Sequence, residues 1–184
     1  MLGWVMIGLV LMSTVCFAEV KQPAPSNYAK DILSNKDYAT FLKVKLGDDF
    51  QKVNELFGGK LEENTSVKPK RTGAKKYNTA DPFLKIYFEF AGGKLYSKSA
   101  GSFSLKMKAE VTKDHFALLQ EGMTYEEVKA ILGEGVLIDE WLWPDNSKLI
   151  QQYEWRLKEK PEAYMNIVLT NGKATTIQEN GVVK

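Results

Sequence analysis

Apolar residues recur at helical spacing in two windows that superimpose without a gap. Residues 47–58 read GDDFQKVNELFG and residues 122–133 read GMTYEEVKAILG. Gly47 aligns with Gly122, Phe50 with Tyr125, Val53 with Val128, Leu56 with Ile131, Phe57 with Leu132 and Gly58 with Gly133, all 75 residues apart. The apolar positions fall at i, i+3, i+6 and i+7, which puts them on one face of a helix. A glycine closes each window. In the second, Thr124 and Glu127 form a capping-box pair, and Met123 with Val128 makes a hydrophobic staple. In the first, Asp49 is the expected cap, with Lys52 where the glutamate would stand.

A different period follows each helix. Ile86–Lys94, IYFEFAGGK, matches Met165–Lys173, MNIVLTNGK, 79 residues further on. Ile86, Phe88 and Phe90 alternate with Tyr87 and Glu89, as Met165, Ile167 and Leu169 alternate with Asn166 and Val168. Strict alternation predicts strands, and the Gly92-Gly93 and Asn171-Gly172 pairs predict tight hairpins. A further helical segment is expected before each glycine window, over 36–45 and 113–120, with Phe41 matching Phe116 and Thr112 as the cap of the second.

The predicted fold class is therefore α+β, with two tandem repeats in which a helix-turn-helix packs on one face of an antiparallel sheet. The expected division is a signal peptide over 1–18, a linker over 19–34, a first repeat over 35–108 and a second over 109–184.

Leu2 to Phe17 carries no charged side chain, and Ala18 precedes Glu19, the first charged residue. This reads as a secretory leader cleaved near Ala18, although no Lys or Arg stands near the start. An uncleaved anchor and a lipoprotein acylated at Cys16 are the competing readings, with Val15 a poor residue in the slot before a lipidated cysteine. Cys16 is the only cysteine, so a cleaved chain would hold neither disulfide nor thiol nucleophile. Pro23 and Pro25 suit an extended tether between leader and fold.

The balance of 25 basic and 23 acidic side chains gives a formal charge of +2, too little to argue for a nucleic-acid partner, and export argues further against one. One histidine, His115, supplies neither a catalytic set nor a zinc site; beside Phe116 it reads as a surface or boundary residue. The glutamate pair 126 and 127 is adjacent along a helix and does not face inward together. These counts predict a protein that is not an enzyme and takes no cofactor or metal. Lys68, Lys70, Arg71, Lys75 and Lys76, within the acid-free stretch 66–76, read first as a solvated loop and second as a contact for an anionic partner.

Gly122-Met123-Thr124-Tyr125-Glu126-Glu127-Val128, the closing Gly133, Tyr153-Glu154-Trp155 and the Asn171-Gly172-Lys173 turn together resemble the tandem-repeat family of the beta-lactamase inhibitory protein and its exported relatives. The likeness runs over roughly 35–183. A single copy also resembles the BamE outer-membrane assembly lipoproteins. The first resemblance implies a helix-turn-helix over a four-stranded sheet, twice, and a protein-binding, inhibitor-like role; a disulfide in each repeat, which it would also imply, has no cysteines to form it here. The second implies an envelope-anchored scaffold or structural lipoprotein.

Binding residues are sought on the sheet face opposite the helices. Alternation places Tyr87 there, and likewise Tyr164 opposite Met165, Ile167 and Leu169. Trp141, Trp143, Tyr153 and Trp155 either add to that face or fill the core or the junction of the repeats. The expected partner is a protein, with membrane contact only through the N-terminal segment.

Overall fold

The structure is a computed structural model that describes residues 32–158, 160 and 162–182. The leader, Cys16 and most of the tether lie outside the described residues.

Four helices start where a side chain can accept orphan N–H groups, and the short one after Ala100 has no such cap. Helix α1 (Lys36–Lys43) follows Asn35, whose side chain accepts from the backbone of Asp37 and Tyr38. Helix α2 (Phe50–Leu56) follows Asp49, which accepts from Lys52 N. After a short helix α3 (Gly101–Ser104), α4 (Lys113–Ala117) is capped by Thr112 and α5 (Tyr125–Leu132) by Thr124, with Glu127 returning the bond. The segments expected over 36–45 and 113–120 end earlier, at Lys43 and Ala117. Val44 is already extended, because the chain must reach Gly47, whose N–H bonds to Leu95 O.

Eight strands follow chain order in one antiparallel sheet: β1 (Glu62–Glu63), β2 (Lys75–Asn78), β3 (Tyr87–Ala91), β4 (Lys94–Ser99), β5 (Val136–Leu142), β6 (Leu149–Arg156), β7 (Tyr164–Thr170) and β8 (Lys173–Asn180). Continuity across the middle comes from β4 and β5, where Ser97, Lys98 and Ser99 lie opposite Trp141, Glu140 and Asp139. Gly92-Gly93 and Asn171-Gly172 all have positive φ, as a two-residue hairpin matching the strand twist requires. Both hairpins receive the helix-turn in the same way: Asp49 bridges to Lys94, and Thr124 to Lys173.

The core lies between the helices and one face of the sheet. Tyr38 and Phe41 of α1, Val53 of α2 and Val128 of α5 close over Phe88 and Ile167, among others, all at most 1% exposed. Phe57 meets Phe88, and Phe50 meets Phe90 edge-on. Three bulges set which residues join this layer. The β3–β4 register shifts at Glu89/Phe90, leaving Tyr96 as an extra residue, and β7–β8 shifts in the equivalent place at Thr175. The β5–β6 shift leaves out Ile138. After its bulge, β4 turns Lys98 rather than Ser97 toward the helices, opposite Phe88.

Candidate partner-binding face

On the helix side, the sheet carries one opening near its middle. A cleft of about 500 Å³ lies between Leu42 and Leu46 on one wall and Leu142, Leu149 and Tyr153 on the other. Its floor is an ion pair, Lys98 Nζ to Glu140 Oε2 at 3.0 Å, with Lys98 only 3% exposed. Lys98 also donates to Phe41 O and Val44 O at the end of α1, and Gln151 donates to Glu140 Oε1. Burial holds the Lys98 ammonium below the usual lysine range, against the opposing pull of Glu140. The charges are thus matched within the protein.

The opposite sheet face is left uncovered by α1, α2, α4 and α5. Cross-strand register puts Lys76, Asn78, Tyr87, Glu89, Ser97, Ser99, Asp139 and Trp141 there in the first half, because each pairs with another member across β2, β3, β4 and β5. Gln152, Glu154, Arg156, Tyr164, Asn166 and Val168 share the face in the second half. The sequence-derived candidates separate on this test. Tyr87, Trp141 and Tyr164 stand on this face, half-buried. Trp143, just beyond β5, is 49% exposed.

Trp155 and Tyr153 do not belong to it. Trp155 is 0% exposed, opposite Met165, and its indole N–H donates to Gly133 O. A side chain at Gly135 would overlap its ring. Tyr153 lies opposite Ile167 on the helix side, stacked on Tyr125 at 4.2 Å; burial first, then Glu140 and Glu134, push its phenol up to about 12. Both rings serve the core of the second half, which has no cysteine or larger helix to fill it.

Cations cap the aromatic rings of the face. Lys76 lies 4.8 Å from the Tyr87 ring, Arg156 5.1 Å from Tyr164, and Lys70 4.7 Å from Trp141. The stretch 66–76, expected to be a solvated loop, keeps Lys68, Lys70 and Lys75 exposed but is anchored to the face by its backbone: Lys70 N donates to Glu89 Oε2 at 2.8 Å and Arg71 N to Tyr96 OH at 3.1 Å. Pattern reasoning missed these anchors because a charge run carries no period; the only signal was the absence of acids between Ser66 and Lys76. Phe83, 86% exposed in the β2–β3 connection, was also missed. Asp81 Oδ1 accepts from Phe83 N and Leu84 N there, a turn that an Asp-Pro pair foreshadows.

His115 is 7% exposed rather than superficial; its Nδ1 accepts from Thr112 N and completes the cap of α4. Among the described residues no three His, Cys, Asp or Glu side chains gather as a metal ion would require.

Helices on one side of a continuous antiparallel sheet, with the other side left to polar and aromatic side chains, define an α+β fold with one sheet face free of helices. A profile of the beta-lactamase inhibitor (BLIP) family matches residues 37–155. The chain belongs to that family. Its fold is also that of a candidate beta-lactamase inhibitor protein from Streptococcus mutans, with a TM-score of 0.63 and 16% identity, over 80% of this chain and 96% of that one. Among curated proteins none matches the chain.

Proposed function

We propose that this chain is an exported, non-catalytic protein-binding module of inhibitor type, freed by cleavage near Ala18 and built of tandem units over 35–108 and 109–184. It binds through the sheet face that the helices leave open. The observation that carries this reading is the set of rings at Tyr87, Trp141, Trp143 and Tyr164 on and beside that face. Rigid aromatic side chains supply contact area at low entropic cost and dominate many interfaces. Family membership makes a beta-lactamase the first partner to try.

The test is a titration of the chain starting at Glu19 into purified class A beta-lactamases, following hydrolysis of a chromogenic substrate, beside crosslinking capture from envelope extract. The parent should inhibit or capture a partner. The double variant Trp143→Ala, Tyr164→Ala should weaken this at least tenfold while its circular dichroism stays unchanged. Equal activity of parent and variant would remove the open face from the account.

A further inference from the structure

We propose that the first half of the open face is a docking site for a protein surface rich in carboxylates, recognised by Lys68, Lys70 and Arg71; this rests on the reading that the open face binds the partner. The argument is one of layers. Deepest are two acids. Glu89, 3% exposed, accepts from Tyr96 OH at 2.5 Å and from Lys70 N, and pairs with Lys76 Nζ at 3.4 Å. Asp139 lies beside it, its carboxyl pushed up by burial against the pull of the Ser99 hydroxyl, Lys70 and Lys76. Above the acids lie the rings of Tyr87, Tyr96 and Trp141. Outermost are Lys70, exposed over Trp141, and Arg71, half-buried over Tyr96, with Lys68 exposed beside them, while Lys76 lies deeper, over Tyr87 and paired with Glu89.

Glu89 is thus buried while the ammonium-bearing side chains of Lys68 and Lys70 are exposed. The arrangement is also fixed in advance. Arg71 Nη2 donates to Leu142 O and Trp143 O at 2.7 Å each, which ties the loop to β5 across the middle of the sheet. Cations already held in place give up little conformational entropy on binding, which favours a rigid complementary surface. A lipid surface is usually met by longer, mobile runs of Lys and Arg. Exposed Val67 and Trp143 flank the patch and give a protein partner apolar anchors beside the charges.

Lys75 provides the internal control. It belongs to the same basic run but lies opposite Phe90, on the helix side, where it pairs with Glu63. The probe is fluorescein-labelled poly-L-glutamate, read by anisotropy across a salt series, with vesicles of phosphatidylglycerol and of phosphatidylcholine as the lipid arm. The parent chain should bind polyglutamate, more weakly as salt rises. Lys68→Glu with Lys70→Glu should lose at least tenfold, Lys70→Gln part of that, and Lys75→Glu almost nothing. Tyr164→Ala, on the same face but in the other half, should leave polyglutamate binding intact, so this patch and the wider open-face reading can fail separately. No polyglutamate binding, or equal losses in Lys75→Glu and the double variant, would overturn the proposal; so would stronger binding to phosphatidylglycerol vesicles than to polyglutamate, which would assign the patch to lipid.

Discussion

Two residues show how close packing and charge set what this chain tolerates. Gly135 has an ordinary φ, so its need for hydrogen comes from space alone: the six-membered ring of Trp155 lies against its Cα. Overpacking of this kind costs about 1–3 kcal/mol. Gly135→Ala should lower the unfolding free energy by that amount, seen as a lower denaturant midpoint, and redden the tryptophan emission, since Trp155 would be pushed off Gly133 O. Asp139 makes an opposite case. Its folded carboxyl titrates above the ordinary aspartate value of 3.8, chiefly through burial. A raised acid binds its proton more tightly folded than unfolded, so the ionised form costs stability. The cost is absent below the unfolded value, grows as pH rises from there toward the folded one, and is complete above it. Asp139→Asn should therefore raise the urea midpoint at pH 7 and leave it unchanged at pH 3. Neither residue was singled out by sequence pattern, because neither a ring's resting place nor a carboxylate's desolvation has a period.

At the scale of elements, capping and strand pairing divide the work. Thr124 and Glu127 satisfy the start of α5 reciprocally, and this was legible from spacing alone. Thr124→Ala should cost about 1 kcal/mol in chemical denaturation. The join of β4 to β5 was not legible. Its ion pair exists because the Tyr96 bulge rotates Lys98 under α1, where it meets Glu140 and the last carbonyls of that helix. Removing one member of a buried pair leaves the other uncompensated, at about 3–5 kcal/mol, whereas replacing both with apolar groups of similar volume is often neutral. Lys98→Met should destabilise within that range, and Lys98→Met with Glu140→Leu should recover most of the loss. A double variant as unstable as the single one would mean that the uncapped carbonyls of Phe41 and Val44, not the orphaned Glu140, dominate.

Over the whole molecule, one sheet couples the halves. Tyr38 of α1 donates its hydroxyl proton to Leu137 O of β5, and Phe103 of α3 packs on the Tyr38 ring. A probe in one half should therefore report the other. In the chain starting at Glu19 the tryptophans Trp141, Trp143 and Trp155 lie in or just beyond β5 and β6, so fluorescence follows those strands, while amide exchange at Phe88 and Phe90 follows β3. Both should unfold at one denaturant concentration, and Thr124→Ala should shift both equally. Separate transitions would show that the β4–β5 pairing contributes little.

By itself the sequence determined what has a period or a local chemistry: the approximate positions of α1, α2, α4 and α5, the caps at Asp49, Thr112 and Thr124, the two hairpins, and the side of β3 and β7 that faces the helices. Those features depend on residues within one or two turns of each other. Tertiary structure alone decided the rest. The bulge at Ile138 put Trp141 on the open face, while the regular pairing of β6 with β7 put Tyr153 and Trp155 on the helix side. A loop of lysines that looked solvated is anchored through its backbone to the buried Glu89 and Tyr96. Such choices are settled by contacts between residues far apart in the chain, and a local pattern of apolar and polar positions carries no record of them.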